Sequence, residues 1–246
     1  MGEAPAASAP DVSIVVPAYN EEGRLPNTIQ ELARYLDTAS FVADVIIVEN
    51  GSSDRTPEIA DQAAANDGRF HAIHVRGRGK GRAVREGVLA ARGRVVAFCD
   101  ADLSMRAPGI GDLNSTVVQG ADIAIASREA PGAKRVGEPW RRHLQGRVFN
   151  WLVRVLAVPG LQDTQCGFKA FRHEVAQDLF REQKLDGWAF DVEVLYLARK
   201  RGYSIREVPI TWWYDASSRV SPVRDTIAMC RELVTIRWNA LLGRYG

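Results

Sequence analysis

Val95-Val96-Ala97-Phe98-Cys99-Asp100-Ala101-Asp102 runs from an unbroken apolar stretch straight into two carboxylates spaced i, i+2. An apolar run this short, rich in β-branched residues and closed by polar ones, reads as a strand buried in a parallel sheet. Four more runs of the same kind, at residues 12–16, 45–48, 72–75 and 123–126, alternate with helical patterns that begin near Pro26, Pro57, Gly81 and Pro108. Three of those starts put proline in the first helical turn, where its missing N–H costs nothing. Four strand–helix units and a fifth strand predict an α/β chain with a mostly parallel central sheet flanked by helices. In such sheets ligands bind above the carboxyl ends of the strands, because successive loops converge there.

Beyond residue 137 the pattern changes to longer helical stretches, at 137–156, 192–201 and 223–242, broken by an aromatic-rich extended piece at 208–214. No internal repeat and no Gly/Ser- or Pro-rich linker separates two cores, so one domain is expected over residues 11–220. An amphipathic C-terminal helix follows at 221–246, with Val223, Ile227, Cys230, Val234, Trp238 and Leu241 on one stripe, predicted to pack on the domain or on a dimer partner. Residues 1–10, Ala/Pro-rich with no basic segment, read as a disordered lead-in rather than a secretory signal.

Composition sets further bounds. The chain has 246 residues, 46% of them hydrophobic, and 32 Lys and Arg against 30 Asp and Glu. A net charge of +2 argues against a surface built for nucleic acid, so any basic site is local. The longest stretches without Asp, Glu, Lys or Arg are nine residues, at 12–20 and 113–121, far short of the ~20 apolar residues of a membrane-spanning helix. Cys99, Cys166 and Cys230 form no C-x-x-C pair, which suits a reducing, cytoplasmic setting.

Chemistry is expected first at Asp100 and Asp102. A strand end followed by a turn lets both carboxylates approach one hard cation, and Mg²⁺ or Mn²⁺ usually completes its shell with water and substrate phosphates. A substrate carrying a diphosphate follows; the alternative is a pair of solvated loop aspartates. The first two strands end in Pro17-Ala18-Tyr19-Asn20-Glu21 and in Glu49-Asn50-Gly51-Ser52-Ser53-Asp54, polar groups able to grip a base or ribose. Ser53 and Asp54 also suit the cap of the next helix. Arg76-Gly77-Arg78-Gly79-Lys80-Gly81-Arg82 precedes a helix and resembles a phosphate cradle, yet fits neither the G-x-G-x-x-G nor the P-loop pattern. RNA binding by this Arg/Gly-rich loop is the alternative, with no aromatic stacking platform beside it. There is no G-x-S-x-G, and the four histidines lack metal spacing.

Taken in order, the segments at 17–21, 49–56, 80–81 and 100–104 resemble the inverting family-two glycosyltransferases of GT-A fold. Asp163-Thr164-Gln165-Cys166-Gly167-Phe168-Lys169-Ala170-Phe171, Trp188-Ala189-Phe190-Asp191-Val192-Glu193 and Ser218-Arg219-Val220 resemble the dolichyl-phosphate β-glucosyltransferase branch and its bacterial polyprenyl-phosphate relatives. The resemblance spans residues 11–240 and implies a single GT-A domain, with a nucleotide-binding half at 11–128 and an acceptor half at 129–220. It implies that Asp102 coordinates a divalent metal, Mg²⁺ or Mn²⁺, and that Asp100 contacts the ribose or reaches the metal through water. Pro17, Tyr19, Glu21, Glu49, Asp54 and Lys80 would surround the nucleotide of a UDP-sugar.

Asp163 and Asp191, with Glu193 third, are the carboxylates expected near acceptor or sugar, while Arg128, Lys169 and Arg219 would meet an acceptor phosphate. A phosphate acceptor is already anionic near neutral pH and needs no general base. The second motif reads Glu49-Asn50 and Arg55 where relatives usually carry Asp-Asp and Gly. The reaction that the resemblance implies is metal-dependent, inverting transfer of a hexose, glucose, from a UDP-sugar to a polyprenyl or dolichyl phosphate. Alternatives are the same donor chemistry on a soluble small-molecule acceptor, and a catalytically silent nucleotide-binding module. Contact with the inner face of the membrane would be peripheral, through the basic, aromatic segment 134–154 or the C-terminal helix, and a homodimer is the other use of that helix.

Overall fold

The computed structural model describes residues 9–140, 147, 150, 153–154, 157–214 and 222–245, with side chains from 228 onward in the last segment. Five strands fall where the apolar runs predict them: β1 (Val12–Ala18), β2 (Ala43–Glu49), β3 (Phe70–His74), β4 (Val95–Phe98) and β5 (Ile123–Ser127). Between them lie α1 (Leu25–Leu36), α2 (Thr56–Asn66), α3 (Lys80–Ala90) and α4 (Pro108–Val118), three with proline in the first turn. Next come β6 (Lys134–Val136), β7 (Lys169–Arg172), α5 (His173–Glu182), α6 (Phe190–Lys200), β8 (Ile205–Pro209), β9 (Thr211–Trp213) and α7 (Pro222–Leu241).

Seven strands form one sheet in the order β3-β2-β1-β4-β7-β5-β8, parallel except for β7, which runs antiparallel to both neighbours. Ala18 pairs with Glu49 and Glu49 with His74, so the first three strands end on one line and their following loops share one rim. β6 and β9 pair in a separate two-stranded ribbon.

Side chains that alternate along the strands fill two cores, one on each face of the sheet. Ile14, Val16, Val45 and Ile47 pack with Leu25, Leu32, Ile110 and Leu113 from α1 and α4. Val15, Val48 and Phe98 face the other way, onto α3, α5 and α6. There Phe98 stacks on Phe171 at 6.1 Å between centroids, and Phe180 and Phe190 close the cluster edge-on or tilted. This aromatic knot fastens β7 and the last third of the chain to β4.

The structure corrects three expectations. Residues 134–136 open the segment 134–154 as a strand rather than as part of a basic helix; further on, residues 140, 147, 150 and 153–154 are helical, and most of the remainder lies outside the described residues. β7 and α5 were not anticipated, because Lys169 at the head of the strand disguises its apolar character. The C-terminal helix buries Leu233, Ile236 and Asn239 against the domain and leaves Val234, Trp238 and Leu241 exposed. From Val234 onward the predicted stripe is thus the outward one, while Cys230 still packs against the core, since the domain takes up the neighbouring face of the helix.

α3 rides so close to the sheet that a Cβ at Gly87 would collide with Val15 and come within 2.7 Å of Val48 Cγ2. Gly87→Ala is expected to destabilise the fold by about 1–3 kcal/mol, since overpacking forces the helix outward. Denaturant midpoints with unchanged slope will measure it.

Candidate active site

Four loops meet above the carboxyl ends of β1 to β4. The first two are stitched together by hydrogen bonds. Asn20, at φ +53°, donates its N–H to Ser52 Oγ at 3.0 Å and accepts Ser53 N–H on Oδ1 at 2.8 Å. Asparagine tolerates this left-handed backbone better than most residues. Glu21 N–H reaches Thr56 Oγ1 at 2.7 Å, and its carboxylate takes the Arg24 guanidinium at 2.6 and 2.7 Å.

Asp54 accepts Thr56 N–H at 3.0 Å and Glu22 N–H at 3.1 Å, so it caps α2 and ties the loops. Burial would raise its carboxyl, but the Thr56 hydroxyl and the Thr56 and Glu22 N–H bonds outweigh it and hold it below the usual range. Glu49, only 5% exposed, accepts Ser52 N–H and faces His74 Nδ1 at 3.4 Å. Pro17 sits within β1 opposite Val48, and Tyr19 lies under the Arg78 guanidinium, 5.0 Å from ring centroid to charge.

The third and fourth loops carry the charge. Lys80 opens α3 and sets its ammonium 2.5 Å from Asp100 Oδ1. Burial pulls the lysine pKa down, yet Asp100, Asp191 and Asp102 together hold it above its ordinary value. Asp102 accepts Ser104 N–H at 3.0 Å and the Ser104 hydroxyl at 2.9 Å, both on Oδ1. Its carboxyl is pushed up by burial and by the neighbouring Asp100 charge. Leu103 then turns through φ +44°, a conformation that costs a non-glycine residue roughly 1–3 kcal/mol. Behind Asp100 stands Gly167, where any Cβ would collide with the Asp100 carboxylate.

The second half of the chain adds two ion pairs. Lys169, 1% exposed, points its ammonium at Asp191 Oδ1, 3.1 Å away, and donates to Cys166 O at 2.6 Å. Apart from that ammonium, no donor reaches this buried Oδ1 among the described residues. Burial pushes the Asp191 carboxyl up, against the pull of Lys169 and Lys80. Arg128 grips Asp163 through Nε and Nη2 at 2.7 and 2.9 Å, and its guanidinium lies over Trp212. Burial alone would raise the Asp163 carboxyl; Arg128 overrides it and keeps it low.

Pro17, Tyr19, Glu21, Glu49, Lys80, Asp100 and Asp102 therefore share the rim, and Asp191 and Lys169 join them electrostatically. Glu193 does not. Its carboxylate accepts Lys184 N–H at 3.1 Å, Leu185 N–H at 2.8 Å and the Tyr245 hydroxyl at 2.7 Å. Arg219 lies outside the described residues. Sequence reasoning gave no role to Gly167 or His74, although the former stands inside a quoted motif.

Two carboxylates with surplus negative charge suit a hard divalent ion that completes its shell from substrate phosphates and water. Among the described residues no cluster of three or more His, Cys, Asp or Glu forms a self-sufficient metal cage. An acidic pair directly after β4, half-buried at Asp100 and exposed at Asp102, stands beside a lysine at a glycine-flanked helix start, and a sheet of this order is that of the GT-A fold.

The chain belongs to glycosyl transferase family 2, whose family model matches residues 13–180. It is 35% identical over 250 residues to a dolichyl-phosphate β-glucosyltransferase of Drosophila melanogaster, covering 96% of this chain and 77% of that protein. The corresponding mouse enzyme is 36% identical, covering 95% and 77%. The glycosyltransferase AglD of Haloferax volcanii is 35% identical over 95% of this chain but 38% of its own length. Glucosyl-3-phosphoglycerate synthase of Mycobacterium tuberculosis, solved with Mn²⁺, UDP and phosphoglyceric acid, superposes with TM-score 0.67 at 21% identity, covering 96% of this chain and 78% of that one. At that identity the likeness concerns the fold.

His74 Nε2 lies 2.9 Å from Asp61 Oδ1, and this bond, with help from Glu49, raises the histidine pKa against its desolvation. A raised histidine pKa stabilises the fold fully below the unfolded value of about 6.5 and ceases to do so as pH rises through the folded value. Wild type is therefore expected to exceed His74→Gln in melting temperature by more at about pH 5.5 than at about pH 8.

Proposed function

We propose that the protein transfers glucose, with inversion, from UDP-glucose to a polyprenyl phosphate. The observation that carries the reading is the Lys80 ammonium paired with Asp100 and acted on by the Asp191 and Asp102 charges, an arrangement that suits the diphosphate of a sugar nucleotide. The names of the relatives supply the glucosyl group and the dolichyl phosphate acceptor. Solved neighbours that hold UDP with Mn²⁺ or Mg²⁺ support a divalent ion.

Asp102 would hold that ion through its free Oδ2, with Asp100 beside it. When bound, it neutralises the leaving diphosphate as a Lewis acid. Lys80 meets the same diphosphate as a point charge, swapping Asp100 for phosphate oxygens. Tyr19, Glu21 and the Glu49 loop form the walls around the nucleoside. Asp191, held by Lys169, would accept a hydroxyl of the sugar. The acceptor phosphate is anionic and attacks without a general base, and Lys169 and Arg128 supply the nearby positive charge.

The acceptor's membrane is met peripherally. Among the described residues no helix is long and apolar enough to span a bilayer. α7 instead presents Val234, Trp238, Leu241 and Leu242 to solvent, with exposed Arg231, Arg237 and Arg244 around them and Glu232 turned inward. An apolar stripe with tryptophan, bordered by three exposed arginines among the described residues, fits an anionic headgroup layer at the cytoplasmic face.

Asp102→Asn is expected to lower Mn²⁺-dependent transfer by a factor on the order of a hundred or more. The assay pairs labelled UDP-glucose with a short-chain prenyl phosphate or with alcohol acceptors; turnover on alcohols alone overturns the acceptor assignment. Trp238→Ala with Leu241→Ala is expected to abolish co-sedimentation with phosphatidylserine vesicles while transfer to a short-chain acceptor persists. A shift from dimer to monomer in light scattering would instead make the stripe an interface between copies.

A further inference from the structure

Trp188 is a large aromatic side chain left 40% exposed, one residue beyond a glycine and three before Asp191. One side of its ring faces the Lys80 ammonium, 5.4 Å from the ring centroid, and that ammonium is the group bound to Asp100. The indole therefore stands beside the place where the diphosphate is held. In a sugar nucleotide, the group attached there is the hexose. A flat apolar ring suits the C–H face of a pyranose, whose hydroxyls point outward to polar partners.

The segment that carries this tryptophan is fixed at both ends. Gly81 N–H donates to Asp186 O at 2.9 Å, and Arg82 pairs with the Asp186 carboxylate. On the other side, Ala189 N–H donates to Glu232 Oε2 at 2.8 Å, across from α7. The Glu232 carboxylate also fills the space into which a Cβ at Gly187 would project. Both neighbours of Trp188 thus rest on one side chain. Glu232 is half-buried, and no other hydrogen bond or ion pair to it is recorded among the described residues. An acid kept in that setting for a single N–H indicates a positional task.

We propose that the indole of Trp188 is the wall against which the hexose of the donor lies, and that Glu232 is the positioning residue that holds it there. The assignment rests on the UDP-glucose reading above and extends it to sugar recognition. It makes α7 a two-faced element, with lipid on its outer side and the sugar-contacting loop on its inner side.

Titration calorimetry with Mn²⁺ tests it on the full chain, using UDP and UDP-glucose as separate probes. Trp188→Ala and Trp188→Leu are expected to weaken UDP-glucose on the order of tenfold while UDP stays within about twofold, and Trp188→Phe to retain most of the affinity. Glu232→Ala should reproduce that selective loss, and Glu232→Gln, whose amide oxygen still accepts the Ala189 N–H, should restore wild-type behaviour. Equal losses for UDP and UDP-glucose would reduce Trp188 to a support for Lys80 and overturn the proposal, as would no loss for either. Glu232→Gln as weak as Glu232→Ala overturns the part assigned to Glu232. A wild type that binds neither nucleotide overturns the donor reading and this proposal together, whereas a wild type that binds both beside an unaffected Trp188→Ala overturns this proposal alone.

Discussion

The charge balance among Asp100, Asp102, Asp191, Lys80 and Lys169 governs the architecture around it. Burying carboxylates raises their energy, and each raised pKa records that cost. Two lysines offset it in part, one from the start of α3 and one from β7. Neither could be supplied locally by the loop that bears the acidic pair. The close seat of α3 on the sheet, the glycine behind Asp100 and the antiparallel insertion of β7 all serve to bring those ammonium groups in.

Much of this was legible in the chain, for identifiable reasons. Parallel strands buried on both faces leave continuous apolar runs, and β1 to β5 were found from those runs to within a few residues. The position of the rim residues was legible because they follow strand ends directly, so their place in space is set by the sheet. Lys80 was found because glycines surround it and a helix follows.

What escaped reading depended on contacts distant in sequence. β7 is four residues long and begins with a buried lysine, a residue that local patterning assigns to a surface. Glu193 carries the same sequence signal as Asp191, two positions apart in the first turn of α6. Nevertheless the helix aims one at Lys169 and the other at Tyr245. Arg128 and Asp163 looked like separate binding groups and prove to be each other's partners. The stripe of α7 was identified as apolar, but of the neighbours expected for it the domain covers the adjacent face instead, because periodicity fixes which residues share a face and not what covers it.

The place of β7 has a consequence for how the enzyme comes into being. Emerging from the ribosome, the first five strands cannot close into a continuous sheet, since β4 and β5 are joined only through a ribbon made some forty residues later. Until that ribbon arrives, two open strand edges stand unprotected at the centre of the nascent protein. The same late piece brings Lys169 and the glycine behind Asp100, so the charged rim stays incomplete until synthesis has passed the midpoint of the molecule. Maturation and catalytic competence are in this way joined in a single docking event, and chaperone dependence should concentrate in the interval before it.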